Sequence, residues 1–569
     1  MKSRFILIMI IAGSFSPLAA VVPLEKDPSF ESTPGGQYAT GGAWADIDGD
    51  GWIDMVVANG NDIERQRLVI FHNNGDGTFP PEPSWQSDDI DYHGHLSVGD
   101  INGDYLPDVA VAVYLGPAGF SEPGRVKVYL NNGEGGFNTI PDWESAERFY
   151  TFSLSLGDAD GDGDLDLACA CGEDYFNHPE QQRIFFNHNG DLETISSWRS
   201  DETGYALDVV WSDPEDDGDL DPVFCGSSTP MRVYRNNQTD GGGIETSTWW
   251  ESGDLPQFGN TVDTGDFNGD GYPEIAVADN NQFGGEGRFK IYENGVDGLA
   301  SEPFWESTTG GYGSHVSWID LDLDGDLDLA TGRWWDSCRI YENVDGSLTT
   351  NPSWQSATTS VIENMFWGDV DNDGLRRDGH FIASGDGISA IYDFGIRPIR
   401  SLTDVHVDNV EVSPSEYAVS LQDGWISFST PPSAGQDNID IRYVYSEDID
   451  LGVTNWDPYI GNYIFLNDAA SVPPMTSFPV ASITAYPNPS QTWVAIRCAQ
   501  VELNSPRLSI YDISGRLVKT MESSYIQGEN LPWRWDCRND KGHLVSSGVY
   551  IATISDVDLV ETFRLIVTR

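Results

Sequence analysis

Short apolar runs recur along the first two thirds of the chain, and turn-forming residues separate them. Each run holds about four or five β-branched or small residues, as in Met55–Ala58, Val109–Ala112 and Ile275–Ala278. Runs of this length between glycine-rich or acidic turns are typical of buried strands and too short for helices. The pattern therefore predicts an all-β fold.

A nine-residue acidic motif precedes these strands and occurs seven times. Its first positions are separated by 54, 58, 55, 53, 54 and 49 residues. Acids or Asn occupy positions one, three, five and nine, and glycine stands at position four or six. A period of this size indicates supersecondary units that stack on one another. The motif residues are Asp46, Asp48, Asp50 and Asp54; Asp100, Asn102, Asp104 and Asp108; Asp158, Asp160, Asp162 and Asp166; Asp213, Glu215, Asp217 and Asp221; Asp266, Asn268, Asp270 and Glu274; Asp320, Asp322, Asp324 and Asp328; and Asp369, Asp371 and Asp373.

Two further elements repeat in phase with the acidic motif. A Trp-x-Ser segment such as Trp85–Ser87 lies ahead of each later motif, Phe30–Ser32 begins the series, and two strands follow each motif. An outer strand, an inner strand, an acidic turn and two more strands make a four-stranded propeller blade. Seven units close one ring without exposed sheet edges. We predict a seven-bladed β-propeller, with an eighth, degenerate blade as the alternative.

The loop spacing, the strand behind it and the period together resemble the FG-GAP/VCBS-type repeats of integrin alpha-like propellers. The resemblance covers about residues 28 to 395. It implies a calcium-binding β-propeller, a fold that hosts many functions. A binding or adhesion role is therefore an expectation that rests on analogy.

The acidic loops themselves favour calcium. Alternate oxygen donors around a tight turn suit a cation coordinated at about 2.3–2.6 Å, whereas Mg²⁺ keeps more water. The alternative is a set of acidic hairpin turns without metal, but two carboxylates about 4 Å apart repel by roughly 4 kcal/mol at an effective dielectric near 20. We expect about five to seven structural Ca²⁺ sites. The fourth loop carries the longer Glu215, and the seventh has Arg377 at position nine with Asp378 one residue late.

Residues that precede the acidic loops are candidates for a ligand-binding surface near the propeller axis. Five positions before each first Asp, six of seven residues are polar, and eight positions before it nearly all are aromatic. An aromatic residue that repeats in every blade favours packing between blades, and a surface on which ligand stacks is the alternative. The polar residues, which vary from blade to blade, are the other candidate for ligand binding. A sugar ligand would suit both sets of residues. The candidate ligand residues are His95, Ser153, Asp208, Thr261, His315, Asn364, Tyr92, Tyr150, Tyr205 and Tyr312.

The composition of the chain excludes some classes of binding partner. The chain has 569 residues, and 30 Lys and Arg against 91 Asp and Glu give a formal net charge of −61. Phosphate binding needs a basic surface, so nucleic acid and anionic membrane are excluded as main partners. We expect a monomer that binds carbohydrate or a cell-surface protein.

No sequence motif nominates catalytic residues. The chain has no GxSxG, HExxH or GxxxxGK motif. His93 and His95 are two residues apart but lack a third ligand for zinc. Whether the protein is an enzyme stays open, with binding favoured. A polysaccharide-active lyase or hydrolase and a structural cell-surface protein are the alternatives.

The two ends of the chain indicate export. Lys2, Arg4, an apolar run and a small-residue exit at Ala20 are typical of a signal peptide. Segments around Ala485–Pro489, Leu508–Val518 and Ser547–Tyr550 resemble the immunoglobulin-like sorting domain of type IX secretion cargo and, more loosely, the FlgD-type fold. The resemblance implies contact with the secretion machinery and a secreted or surface-attached protein of a Gram-negative-type bacterium. An accessory β-sandwich is the alternative.

These observations divide the chain into five segments. We predict a signal peptide over 1–20, the propeller over 21–395, a small β segment with a half-repeat over 396–467, a linker over 468–482 and the Ig-like domain over 483–569. Cys498 and Cys537 lie in the last segment and are candidates for a disulfide, whereas Cys169 and Cys171 on one strand face favour simple burial.

Overall fold

The structure, a computed structural model, describes residues 22–33, 35–239, 241–254, 258–344, 346–374, 376–467 and parts of 482–567. The predicted signal peptide and nearly all of the predicted linker lie outside the described residues. The chain forms two compact units, Met1–Ser471 and Val472–Arg569.

Six four-stranded antiparallel blades follow one another along the first unit, which confirms the predicted all-β propeller fold. Five of them are separate sheets, whereas the sixth is joined to the seventh blade in one eight-stranded sheet, because Trp334 pairs with Val361. A short strand, β1 (Phe30–Glu31), precedes them. The six blades comprise β2 (Ala39–Ala45), β3 (Asp54–Asn59), β4 (Val69–Phe71) and β5 (Trp85–Gln86); β6 (Tyr92–Gly99), β7 (Asp108–Gly116), β8 (Gly119–Tyr129) and β9 (Trp143–Glu144); β10 (Thr151–Gly157), β11 (Asp166–Cys171), β12 (Glu180–Phe185) and β13 (Trp198–Gly204); β14 (Ala206–Ser212), β15 (Asp221–Gly226), β16 (Arg232–Val233) and β17 (Trp250–Glu251); β18 (Gly259–Gly265), β19 (Glu274–Asp279), β20 (Phe289–Tyr292) and β21 (Trp305–Glu306); and β22 (Gly313–Ile319), β23 (Asp328–Asp336), β24 (Arg339–Tyr341) and β25 (Trp354–Gln355).

The second strand of each blade is buried on both faces because neighbouring blades cover it. All six residues of β3, β11 and β19 are buried, which explains why these strands read as continuous apolar runs. In five blades the indole N–H of the outer strand donates to a backbone carbonyl beyond that blade: Trp85 donates to the Phe137 carbonyl at 3.0 Å, and Trp143 donates to the Leu192 carbonyl at 3.0 Å. The repeated tryptophan thus joins blades as well as filling space.

A second β structure interrupts the seventh blade. After β26 (Ser360–Gly368) the chain leaves the propeller and forms two small sheets, of four and three strands, which pack around Ile426, Phe428, Ile439 and Ile441. We call residues 376–447 the insertion. Its elements are β27 (Arg376–Ala383), β28 (Ile391–Asp393), β29 (Ser401–Val407), β30 (Val410–Glu411), the 3₁₀ turn Pro414–Glu416, β31 (Tyr417–Ser420), β32 (Trp425–Phe428) and β33 (Ile439–Ser446).

The seventh blade resumes after the insertion and closes the ring. Its strands are β26, β34 (Asp450–Asn455), β35 (Tyr463–Phe465) and the N-terminal β1, because Phe30 pairs with Ile464. The inner strand β26 contacts both its predecessor β22 and the first inner strand β2. The two ends of the propeller sequence therefore meet in one sheet.

The structure differs from the predicted boundaries at this point. The half-repeat after residue 447 supplies the second and third strands of the seventh blade, so the propeller extends to about residue 467 and not 395. Within the described residues it adds no eighth blade. The physical reason is that an insertion whose ends lie side by side leaves the blade hydrogen bonds intact on both sides of the gap.

The second unit contains two antiparallel sheets. Trp535, Leu508, Ile510 and Ala552 are buried in it. An Ig-like sandwich stays a prediction, as does pairing of Cys498, whose side chain lies outside the described residues. The strands are β36 (Ser482–Tyr486), β37 (Val494–Ala499) and β40 (Trp533–Trp535) in one sheet, and β38 (Arg507–Asp512), β39 (Leu517–Glu522), β41 (Gly548–Asp556) and β42 (Leu559–Val567) in the other.

Candidate metal sites and ligand surface

The seven acidic loops share one backbone feature. Position four is left-handed in each of them, including the loops in which it is not glycine. The φ angles run from 54° at Asp216 to 75° at Gly103. The residues at position four are Gly49, Gly103, Gly161, Asp216, Gly269, Leu323 and Asn372. The shared turn holds alternate side chains on the inside of the loop.

Hydrogen bonds from the backbone fix the first and last acids of the loops. In six loops the N–H of position six donates to the first carboxylate, as from Gly51 to Asp46 at 2.9 Å and from Gly325 to Asp320 at 3.1 Å. The acid at position nine accepts from the N–H of the Asn after the third strand, and in five loops also from position two; Asp54 accepts from Ile47 at 3.0 Å and from Asn73 at 2.8 Å. The loop is thus organised by its own acids.

Three loops bring three carboxylates close together. One oxygen from each of Asp46, Asp48 and Asp50 lies within 4.8 Å of the others, and the same holds for Asp158, Asp160 and Asp166 and for Asp320, Asp322 and Asp324. Several buried oxygens have no hydrogen-bond partner among the described residues; they are Oδ1 of Asp46, Asp160 and Asp320, Oδ2 of Asp221 and Asp328, and Oε2 of Glu215. Unpartnered buried carboxylate oxygens are costly unless a cation binds them. The donor set fits calcium.

Burial raises the pKa of the loop acids. It raises the pKa of Asp54 and Asp108 to about 7 and that of Asp328 to about 8, against the smaller opposing effect of backbone hydrogen bonds. Neighbouring carboxylates contribute to the same increase in these pKa values. The cluster is therefore electrostatically unfavourable when all its members are ionised without a counter-charge.

The fourth and seventh loops depart from the motif, and each does so in its own way. Glu215 accepts a hydrogen bond from Arg235 Nε through Oε1, so the longer side chain reaches a cation of the protein. Arg377 and Asp378 lie in β27 of the insertion, where Arg377 pairs with Glu447. Position nine of the seventh loop is Asp450, which pairs with Gly368 as Asp166 pairs with Gly157. Asp450 escaped the sequence analysis because the insertion separates it from Asp373.

A recurring asparagine, which the sequence analysis missed, links the acidic loops of adjacent blades. The side-chain amide of the Asn after the third strand donates to the position-two carbonyl of the preceding blade, as from Asn131 to Ile47 at 2.8 Å and from Asn187 to Ile101 at 2.7 Å. Asn73 of the first blade reaches Val370 of the seventh at 2.8 Å. The recurring Asn at the end of Arg-Val-Tyr-type strands was the available signal.

The predicted polar ring lies around the axis and is largely buried. Ser153 Oγ donates to Asp208 Oδ1 at 2.6 Å, and the Val262 N–H donates to Asp208 Oδ2 at 3.0 Å. Thr261 Oγ1 accepts from the Val316 N–H at 3.0 Å. These contacts join neighbouring blades, so polar groups at this level connect inner strands.

The two histidines and Asn364 complete the ring. Burial and, to a smaller extent, the neighbouring His95 lower the pKa of His315 to about 3. His95 Nδ1 lies 3.8 Å from Asp208 Oδ1. Asn364 is half-buried and its N–H donates to Thr454 Oγ1 at 3.1 Å. His93, the other residue weighed for zinc, is buried with Nδ1 2.8 Å from the Asn59 carbonyl.

The predicted aromatic positions lie on the face opposite the acidic loops. Tyr150 is buried and its hydroxyl donates to the Phe120 carbonyl at 2.7 Å, and the Tyr205 hydroxyl donates to Asn177 at 2.8 Å. Tyr92 is half-buried. Tyr312 is 40% exposed and stacks on Trp334 with ring centroids 6.2 Å apart.

A larger aromatic surface surrounds these positions and was not predicted. A series of aromatic ring contacts, with centroids 5.0–6.4 Å apart, begins at Phe176 and ends at Tyr38 of the first blade. The rings before Tyr38 belong to five other blades. Gln282 donates to the Tyr175 hydroxyl at 3.0 Å, which connects the third blade to the fifth. We call this surface the aromatic belt; its members are Tyr38, Phe120, Tyr175, Phe176, Phe258, Phe283, Tyr312, Trp334, Trp335 and Trp456. The Tyr-Phe pair between β11 and β12 and the Trp-Trp pair near the end of β23 were the signal that could have found it.

Trp335 is the most unusual member of the belt. It is 58% exposed and holds a left-handed φ of 59°. A bulky residue with positive φ is an outlier that costs free energy. Phe176, elsewhere in the belt, is 63% exposed. Exposed aromatic rings in one surface mark sites of interaction.

Comparison with known protein families matches two parts of the chain. FG-GAP-like repeats match residues 46–111, 112–169, 213–277 and 266–331, and a secretion system C-terminal sorting domain matches residues 484–568. The chain thus contains FG-GAP-like repeats and a type IX secretion sorting domain, which indicates secretion to the cell surface. No helix among the described residues is long and apolar enough to cross a membrane.

Solved structures with a similar course of the backbone include a β-propeller domain. BBS1N in complex with ARL6DN matches with 10% identity and a TM-score of 0.39 over 74% of this chain and 97% of that chain. The Cps50 (Swd1) β-propeller domain of Myceliophteria thermophila matches with 10% identity and a TM-score of 0.37 over 74% and 99%. PorZ, a type IX secretion surface component of Porphyromonas gingivalis, matches with 11% identity and a TM-score of 0.19 over 93% and 81%. No curated protein matches.

Proposed function

We propose that this protein is a cell-surface binding module that holds a polysaccharide against the aromatic belt, on a propeller stabilised by calcium. The observation that carries the proposal is the exposed ring surface around Trp335 and Tyr312. Aromatic faces with a few polar tips suit the C–H faces and hydroxyls of sugar rings. The axial polar ring is buried and contributes to the support of this surface.

Calcium has a structural part in the proposal. Unpartnered oxygens in the acidic loops support cation binding, and the loops lie on the other face of the propeller from the belt. A ligand present at about ten times its Kd stabilises a fold by roughly 1.4 kcal/mol per site. Calcium therefore supports the blades without touching the polysaccharide.

The experiment is retention of the purified full chain on a panel of immobilised polysaccharides in calcium. Trp335→Ala should lower the affinity at least about tenfold, which corresponds to 1.4 kcal/mol of lost contact. Tyr105→Ala is a matched control, because Tyr105 is a 61% exposed aromatic with a φ of 70° in an acidic loop. Its affinity should stay within twofold of the unsubstituted chain.

Other outcomes would change the proposal. Equal loss in the two variants, or no loss in either, would remove the belt as the binding surface. An unsubstituted chain that is retained on no polysaccharide would overturn the carbohydrate ligand and favour a surface protein. Release of oligosaccharide product into the same tubes would favour a polysaccharide-active enzyme.

A further inference from the structure

Two stretches of chain that are distant in sequence meet at the seventh acidic loop. The chain leaves the propeller after Gly374 and returns at Asp448. A Cβ atom placed on Gly374 would lie 2.5 Å from the Cβ of Asp448 and 3.0 Å from its nitrogen. Only glycine fits this approach. The two ends of the insertion therefore lie side by side.

Joined across the insertion, the two stretches form a complete nine-residue motif. Residues 369–374 read Asp-Val-Asp-Asn-Asp-Gly, and residues 448–450 read Asp-Ile-Asp. The third loop, 158–166, reads Asp-Ala-Asp-Gly-Asp-Gly-Asp-Leu-Asp. The insertion thus falls between positions six and seven of an otherwise regular loop.

The divided loop keeps part of the geometry of the continuous one. The Val370 N–H donates to Asp450 Oδ2 at 2.8 Å, and the Ala159 N–H donates to Asp166 Oδ2 at 2.7 Å. Position four is left-handed in both, with φ of 55° at Asn372. Position six differs, because Gly163 has a φ of 90° and Gly374 is not left-handed. The insertion has therefore kept the first part of the turn and its bond to position nine, and has changed the backbone only where the chain leaves the loop.

Buried oxygens in this loop lack partners on the protein. Asp369 and Asp448 are each 4% exposed and Asp450 is fully buried. Oδ1 of Asp369 and Oδ1 of Asp448 have no hydrogen-bond partner among the described residues. Oδ2 of Asp369 is already used, because Ser446 Oγ donates to it at 2.6 Å and Arg400 Nη1 lies 3.3 Å away. Two buried carboxylate oxygens without partners are costly in the ionised state, and a bound cation removes that cost.

We infer that Asp369, Asp371, Asp373, Asp448 and Asp450 form a divided site for a calcium-like divalent cation, which fastens both ends of the insertion to the propeller. The inference rests on the proposed calcium binding of the continuous loops. Five carboxylates from two chain stretches supply the oxygen donors that this class of cation takes. The matches to FG-GAP-like repeats end at residue 331, so this site lies beyond them.

Contacts of the insertion give the site a wider consequence. Ser427 Oγ donates to Asp158 Oδ2 at 2.6 Å, Arg400 Nη2 donates to the Gly51 carbonyl at 3.0 Å, and the Ala390 N–H donates to the Gly218 carbonyl at 3.3 Å. The insertion thus lies over the acidic loops of the first, third and fourth blades. The divided cation site anchors the chain ends from which this docking begins.

The test is the number of calcium ions bound per full chain, measured by equilibrium dialysis. Asp448→Asn should bind one ion fewer than the unsubstituted chain, whereas Asp404→Asn, at an exposed acid of the same insertion, should bind the same number. In the unsubstituted chain, chelation should speed tryptic cleavage at Arg376 and Arg377 beside the junction. Asp448→Asn should show the fast cleavage with calcium present.

The outcomes separate this inference from the proposed function. If Asp448→Asn retains the full number of ions, the divided site is overturned and the continuous loops keep theirs. If the unsubstituted chain binds none, the calcium part of the proposed function fails first. Asp371→Asn, at a half-buried position of the same loop, should also lose one ion and replaces Asp448→Asn if that variant does not fold.

Discussion

The two faces of the propeller are built on opposite principles. On one face, each blade contributes the same turn, with acids at fixed positions and a left-handed residue at position four. On the other face, the aromatic belt adds rings that occur in single blades, such as Phe120, Phe176 and Trp335, to the repeated aromatic position. A repeated residue serves the repeated unit, whereas one that occurs once serves something particular to this protein.

The comparison separates stability from recognition. The acidic face contains buried charges, backbone hydrogen bonds and interblade amides, all of which hold the blades. The belt contains exposed rings whose removal leaves little buried surface unfilled. Changes on the acidic face should therefore alter the free energy of unfolding, and changes on the belt should alter affinity.

The largest expected effect is that of chelation on the full chain. Six loops at about 1.4 kcal/mol each sum to roughly 8 kcal/mol, which should lower Tm by about 10 °C for a domain of this size. Scanning calorimetry with and without chelator measures the shift, and magnesium serves as the control cation. Polysaccharide retention well below the melting range should stay within twofold. An unchanged melting curve would refute calcium binding. Loss of polysaccharide retention on chelation would show that the two faces do not act separately.

A second, smaller effect concerns the axis between the faces. Burial lowers the pKa of His315 from 6.5 to about 3. Below pH 6.5 the unfolded chain binds a proton that the folded chain excludes, so stability falls as the pH falls towards 3 and is regained above 6.5. The loss is about 2 kcal/mol at pH 5. His315→Gln should remove this loss.

Denaturant unfolding at pH 7 and pH 5, in saturating calcium, measures the effect of His315. His380→Gln is the control, because the His380 side chain is 45% exposed in the insertion. An identical pH dependence in His315→Gln and the unsubstituted chain would mean that the axis is open to water and protons.

The smallest expected effect is that of a single interblade amide. Asn131→Ala leaves the buried Ile47 carbonyl without its 2.8 Å hydrogen bond, which should cost about 1–2 kcal/mol. Asn132→Ala, at the exposed neighbour, should cost less than about 0.5 kcal/mol. Both should retain polysaccharide equally. A change in retention for Asn131→Ala at temperatures where it is folded would contradict the separation of the two faces.

Much of this architecture was predictable because the repeat is strong. The period located the blades, the Trp-x-Ser segments located the outer strands, and the acids at positions one to nine located the loops, since each of these signals is local and occurs many times. The Asn links were also visible in the sequence, but their role depends on the neighbouring blade. The residues predicted for the axial polar ring lie on the inner strands, and their burial depends on how those strands pack.

The sequence by itself determined the propeller, the acidic loops and the sorting domain, because periodicity, turn chemistry and spacing act over a few residues. Only the tertiary structure decided that β1 closes the seventh blade, that Asp448 and Asp450 complete a loop begun at Asp369, and that rings from separate blades form one belt. Those contacts join residues distant along the chain. No local pattern specifies such contacts, because they exist only once the ring has closed.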